Sequence, residues 1–225
     1  MKKIGFLVAV EMDALLRRYG TPRETRSVGG FEVHCYADDR REIYAISAGA
    51  GEIAAAAATA LLIGVFQVDL VLNYGVAGGL SEEMKLSRSC VVERVVHYDF
   101  DTAAWSGRVV GQYDEYPTPY IPATPELVKK AREIRPELRA VTCASADKFV
   151  ASPEAKRALH ERWGADICEM EAAGIVLSCN RAGVPCLLIK TVSDSVTGGA
   201  EEFHREIDRS AAIALETADA ILEVL

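Results

Sequence analysis

The stretch "VDLVLNYGVAGGL" (residues 68–80) decides the fold. Its first half is a nearly continuous apolar run with no alternation between faces. That is the pattern of a strand buried on both sides, as in a parallel sheet. Its second half carries three glycines. They read either as a tight turn or as backbone that approaches a ligand closely at the carboxyl end of a sheet, where α/β folds place their ligands. A second run of the same kind, "VPCLLIKTVSDS" (184–195), leaves Asp194 at a strand's carboxyl end.

Outward from these two, strand-like runs recur at "KIGFLVAV" (3–10), "GFEVHCYA" (30–37), "EIYAISAG" (42–49), "SCVVERVVHY" (89–98) and "LRAVTCAS" (138–145). "FEVHCYA" alternates, as a half-exposed strand should. Helical runs lie between them. "EIAAAAATALLIGVF" (52–66) is long and Ala-rich. "TPELVKKAREI" (124–134) opens with Thr124 as N-cap and Pro125 at the first helical position, and "SPEAKRALHERW" (152–163) repeats that design. The segment from Ala200 to Leu225 is a long amphipathic helix. Strands alternating with helices predict one α/β domain over residues 1–225, a central mixed sheet flanked by helices. The stretch 105–125, with three Tyr and four Pro, reads as an ordered, functional loop.

The chain has 225 residues, half of them apolar, which suits one sizeable core. Its net charge of −8 argues against binding to a nucleic-acid backbone. No apolar run is long enough for a membrane span. "MKKIGFLVAVEMD" superficially resembles a signal peptide, but its apolar core runs straight into Glu11, and a first strand fits better. Six cysteines without a C-x-x-C pair read as reduced thiols, which implies the cytoplasm. "HYDFD" (97–101) offers three metal ligands on paper, but an edge-strand or loop reading suffices, so no metal is expected.

Several stretches point to chemistry. Gly49, Gly51 and Ala54 match a dinucleotide fingerprint, but the acid that should hold a ribose is missing. Asp69 lies at the wrong end of the next strand, and the far end is Asn73. The ordinary reading is a Gly-rich turn that lets a helix pack tightly. In "ADICEMEAAGIVLSC" (165–179), Glu169 and Glu171 flank one Met where an apolar run meets a helix-forming run, an unusual place for solvated carboxylates. Asp13, just after the first strand, and Asp194 each read alone as turn or cap residues. Together with Glu171 they converge on one crevice if their strands are adjacent.

The order "IGFLVAVEMDAL", "SAGAGEIAA", "NYGVAGGL", "ADKFV", "EMEAAGI", "VPCLLIKTVSD" resembles the purine nucleoside phosphorylase/uridine phosphorylase superfamily over nearly the whole chain. It is most similar to the methylthioadenosine/S-adenosylhomocysteine nucleosidase branch. The resemblance implies a homodimer that cleaves a nucleoside without a cofactor. It implies that Glu171 accepts hydrogen bonds from the ribose 2′- and 3′-hydroxyls and that Met170 packs on the sugar. Asp194, after Ser193, would face N7 of the purine. Phe149 would stack on the base and the Val150 backbone would read its edge. Trp105 of a partner subunit and Phe203 would cover the 5′ group. Val76, Ala77 and Gly78 fall in the family's "G-x-A-G-G-L", and Ala50 would line the 5′ pocket.

The chemistry asks for these groups independently. An acid that protonates N7 makes the base a better leaving group, so Asp194 should carry or share a proton, its pKa raised by burial. A carboxylate on the sugar side orients water and stabilises oxocarbenium-like charge. That role falls to Asp13, where the nucleosidase branch usually has Glu. Asp is shorter by about 1.3 Å, and misplacement of that size can cost about 10²-fold in rate. Either the backbone compensates or Glu11 takes part. Val76 replaces a polar residue and Ala50 a larger aliphatic one, which would make the site drier and its 5′ pocket roomier. The family's phosphorylases carry a Gly-Asp-Pro turn and an Arg after the first strand. Glu11 and Asp13 would repel phosphate there by several kcal/mol at an effective ε of about 20. Water is therefore the expected nucleophile. The competing readings are a phosphorylase, a hydrolase of futalosine-type nucleosides, and a nucleoside-binding module without catalysis.

Overall fold

The computed structural model describes residues 1–225. Ten strands form one mixed sheet. In chain order they are β1 (Lys2–Val8), β2 (Glu24–Val28), β3 (Phe31–Ala37), β4 (Arg41–Ser47), β5 (Leu70–Gly79), β6 (Ser89–His97), β7 (Tyr120–Pro122), β8 (Arg139–Ser145), β9 (Ile167–Glu169) and β10 (Cys186–Asp194). The helices are α1 (Met12–Tyr19), α2 (Glu52–Gly64), α3 (Ala103–Ser106), α4 (Pro125–Ile134), α5 (Pro153–Trp163), α6 (Ala172–Ala182) and α7 (Ala200–Leu222). No helix is long and apolar enough to cross a membrane.

β5 is the hub. All ten of its residues are buried, as its apolar run predicts. It pairs in parallel with β1 on one side and β10 on the other. Beyond them, Gly78 and Gly79 pair antiparallel with β9. β10 continues antiparallel to β6, and β6 and β8 run parallel on to β9. Strands β5, β10, β6, β8 and β9 therefore close into a ring. β1, β4, β3 and β2 extend from it as an open sheet. The glycine-rich half of "VDLVLNYGVAGGL" is thus not a turn: the strand runs on through Gly79. β7, β9 and β2 are absent from the strand-like runs of the sequence. Two of them have only three residues, too short for periodicity to register.

Apolar layers cover both faces. α2 and α6 bury Ala55, Ala58, Leu62, Ile175 and Val176 against one face. α1, α4 and α7 bury Leu15, Val128, Leu215 and Ile221 against the other. α5 begins as its sequence predicts, with the Ser152 hydroxyl accepting from Ala155 N at 3.2 Å. Thr124 does occupy the N-cap position of α4, but its hydroxyl accepts from Cys186 N at 2.9 Å and ties the helix to β10 instead. All six thiols are free and buried, Cys35 included. The 105–125 stretch is ordered by a parallel stack of Phe100 on Tyr113, 4.1 Å between centroids, and by β7. His97 of "HYDFD" is occupied within it, hydrogen-bonded through Nδ1 to Tyr113 Oη at 2.8 Å.

α2 and α6 touch without room for a side chain at Gly174. A Cβ there would sit 2.5 Å from the Glu52 carbonyl oxygen. Gly174→Ala is expected to lower unfolding stability by about 1–3 kcal/mol, as overpacking does. A urea titration should show a lower midpoint with unchanged slope.

Candidate active site

A cleft opens at the carboxyl ends of β1, β5 and β10. Such ends are where a parallel arrangement directs loops and binds ligands. The β5 backbone forms its floor with Val76, Ala77 and Gly78. Ser193 and Asp194 close one side, Met170 and Glu171 another. Phe149 and Val150, Phe203 of α7, and Ala50 complete the wall. Phe149 and Phe203 meet edge to face at 5.2 Å. Phe149 remains 42% exposed, so one ring face is free to stack on a planar group.

Glu11, not Asp13, is the carboxylate that β1 delivers. Glu11 sits at the strand-to-helix junction and is buried. Its Oε1 accepts from Val76 N and its Oε2 from Val10 N, both at 2.9 Å. A Cβ on residue 75 would lie 2.7 Å from Glu11 Oε1, so this approach requires Gly75. Asp13 is a correction to the sequence reading: it is exposed and does not line the cleft. The cause is helical phase. α1 starts at Met12 and turns Met12, Ala14 and Leu15 to the core, which leaves Asp13 outward. Trp105 also lies outside the cleft of this chain, 80% exposed on α3.

The two glutamates of "EME" have different surroundings. Glu169 is held by Lys190 Nζ at 3.1 Å, by the Ser145 hydroxyl at 2.6 Å, and by the N–H groups of Ala172 and Glu171. Burial pushes its pKa up, but the ammonium and these donors outweigh it and hold Glu169 below the ordinary carboxylate range. Lys190 is likewise opposed by burial and held above the usual lysine value by Glu169, Glu171 and Glu11. Glu171 accepts from Gly51 N at 3.0 Å and faces the cleft. Burial, then the charge of Glu169, push it up to about 8. The same two causes push Glu52 up to about 8. Ser145 has one proton to give and contacts both Glu169 and Glu52. A protonated Glu52 that donates to Ser145, which donates to Glu169, satisfies the chain.

Asp194 owes its orientation to a bulge. The β10–β5 register shifts between Val192 and Asp194, which re-aims the last residues of the strand. Ser193 Oγ donates to Asp194 Oδ1 at 2.9 Å. Its other oxygen does not meet solvent: Lys156 Nζ lies 2.5 Å from Oδ2, both side chains buried. Sequence reasoning assigned nothing to Lys156, and the free enzyme presents Asp194 as one half of an ion pair. Glu11 bonds at Val76 and Asp194 lies against Gly78, two residues along β5. The two acids therefore meet β5 at backbone positions about 7 Å apart along the strand. Lys148 is the one cation among the lining residues.

The raised groups set a pH dependence. Above pH 6.5 an unfolded chain has released the protons of Glu52 and Glu171, whereas the folded chain keeps them up to about pH 8. The folded state then binds more protons, so stability falls as pH rises through this window and levels off above it. Melting temperature measured from pH 6.5 to 8.5 is expected to decline by several degrees. Glu52→Gln, which keeps a donor for Ser145, should flatten the decline.

The phosphorylase superfamily model matches residues 3–225 of this chain. A 5′-methylthioadenosine/S-adenosylhomocysteine nucleosidase of Shewanella denitrificans is 32% identical over 199 residues, 86% of each chain. An aminodeoxyfutalosine nucleosidase of Helicobacter pylori is 30% identical, covering 94% of both. The structure of futalosine hydrolase from Helicobacter pylori superposes with a TM-score of 0.93 and 28% identity, over 100% of this chain and 98% of that one. The chain belongs to the phosphorylase superfamily and, within it, to the nucleosidases that cleave N-glycosidic bonds.

Proposed function

We propose that the chain hydrolyses the N-glycosidic bond of a purine ribonucleoside, with methylthioadenosine and S-adenosylhomocysteine as default substrates. One observation carries this reading. Three buried carboxylates, Glu11, Glu171 and Asp194, line one cleft together with the half-exposed ring of Phe149. The base stacks on Phe149 with its edge toward the Val150 backbone, and Asp194 meets N7. The ribose lies on Met170 with its cis-diol at Glu171. A carboxyl accepts from one hydroxyl and, while protonated, donates to the other, so the raised group at Glu171 suits a diol. Glu11 takes the role expected of Asp13. It orients water at the anomeric carbon as the C1′–N9 bond lengthens, and its charge stabilises the oxocarbenium-like sugar.

Water is favoured over phosphate by charge. Glu11 and Glu171 line the sugar side of the cleft, and the cation beneath them, Lys190, is bound to Glu169. Arg17 and Arg18 pair with Asp208 and Asp219 instead. A second substrate reading rests on Ala50 and on the relatives named for futalosine-type nucleosides: a small residue at the 5′ end leaves room for a larger substituent. The exposed apolar side chains of Trp105 and Val109 support a homodimer in which the partner's α3 closes the 5′ end. The free thiols support a reducing, cytoplasmic setting.

Base release from methylthioadenosine, S-adenosylhomocysteine, adenosine, inosine and futalosine, measured chromatographically with and without phosphate, is the test. Release without phosphate is expected, and strict phosphate dependence overturns the reading. Glu11→Gln should lower kcat by about 10²-fold or more, whereas Asp13→Asn should stay within about two-fold of wild type. Equal loss in both variants would return the role to Asp13. Asp194→Asn should abolish turnover. It should also lower melting temperature, because it leaves the Lys156 charge buried without its partner.

A further inference from the structure

The buried cation beside the acid has no part in the mechanism so far. Lys156 projects from the first turn of α5 and is fully buried, an arrangement rare for lysine unless it is paired. Its ammonium meets Asp194 Oδ2 at 2.5 Å, Ser195 O at 2.6 Å and Gly198 O at 3.1 Å. Three protons therefore have three acceptors. Lys156 does not line the cleft, and Asp194 stands between it and any ligand. The other ionisable groups facing the pair are Cys168 of β9 and Glu202 of α7. Burial, then the charge of Asp194, push the Cys168 thiol up to about 12. Glu202 accepts from Ser195 N and Oγ. Neither contacts the pair with a proton to give.

Resting on the assignment of Asp194 as the N7 acid, we propose that the proton delivered to the base is stored on the Lys156–Asp194 pair rather than on Asp194 alone. An acid must hold its proton at the operating pH, and a carboxylate paired with an ammonium holds none of its own. The ammonium is the nearest proton to it. As the C1′–N9 bond breaks, its electron pair moves onto the base; Asp194 takes a proton from Lys156 Nζ, which is left as an amine, and passes that proton to N7. Glu11 receives one proton of the attacking water. After the products depart, Glu11 releases that proton to solvent, and Lys156 regains one from solvent through Asp194, which borders the cleft. Lys156 acts through Asp194 and is a positioning residue that also stores the proton.

Two variants separate this role from a structural one. Lys156→Met removes charge and proton at similar volume. Lys156→Arg keeps the charge but cannot release a proton. With the storage role, Lys156→Met must rely on a proton on Asp194 itself. Its kcat should approach wild type at about pH 5 and fall 10-fold or more by about pH 7, a range over which wild type does not fall. Lys156→Arg should lose about 10²-fold or more throughout that range. Melting temperatures and nucleoside binding by calorimetry, read on the same preparations, establish that the sites are intact. A pH-independent loss in Lys156→Met, or wild-type rates in Lys156→Arg, overturns the proposal. Should neither variant fold, wild type decides: a kcat that declines between about pH 5 and 7, below the range in which Glu171 gives up its proton, overturns it, because the pair would not be holding the proton. Absence of base release from wild type would instead defeat the nucleosidase assignment on which the proposal rests.

Discussion

Charge neutrality in a dry space is the constraint on which the rest of the site depends. Four carboxylates, Glu11, Glu52, Glu169 and Glu171, are buried around a single ammonium, that of Lys190. One cation at full strength can hold one carboxylate, and Glu169 is the one it touches. The others must find different terms. Glu11 takes two backbone N–H groups. Glu52 and Glu171 keep their protons. Glu171 is thereby neutral where it lines the cleft, and Asp194 pairs with a separate lysine. Two ion pairs, Lys190–Glu169 and Lys156–Asp194, divide the buried charge between them.

The polypeptide that makes this possible is β5. Its small residues give the carboxylates close access to its backbone: Glu11 reaches Val76 N past Gly75, and Asp194 lies against Gly78. Side chains at those two positions would push the acids out of the cleft. The same stretch serves packing along its apolar half and chemistry along its glycine half. The two run together without a turn because β10 pairs along the whole of one edge, from Val71 to Gly78, and β9 takes up the other edge at Gly78 and Gly79 after the pairing with β1 ends at Asn73.

Much of the architecture was legible in the chain. The long burial runs at β5 and β10, the alternation at β3 and the Pro-led starts of α4 and α5 each have a local cause, and each was found. Eleven of the thirteen residues singled out for the site line one cleft. What was not legible depends on phase and partnership. Spacing after a strand favours Asp13 and leaves Glu11 a part, whereas which of the two lines the cleft turns on where α1 begins. "NYGVAGGL" reads either as a turn or as backbone that approaches a ligand, because glycine is ambiguous until a neighbour demands its lack of a side chain. In "SPEAKRALHERW" Lys156 is one charged residue among several on a polar helix. Nothing local marks it as the one that faces inward to a partner 38 residues away.

The closed ring of strands also dictates an order of events during biosynthesis. β5 is complete by residue 79, yet β9 and β10, which seal its far side, lie beyond residue 166. Closure must wait until most of the chain has emerged. Contacts this distant in sequence make folding slow, and an unpaired apolar strand is prone to associate wrongly meanwhile. The active site, built from both ends of the chain across that strand, is among the last parts to assemble. A chain that stops short of β10 leaves one edge of β5 uncovered and lacks Ser193 and Asp194 of the cleft altogether.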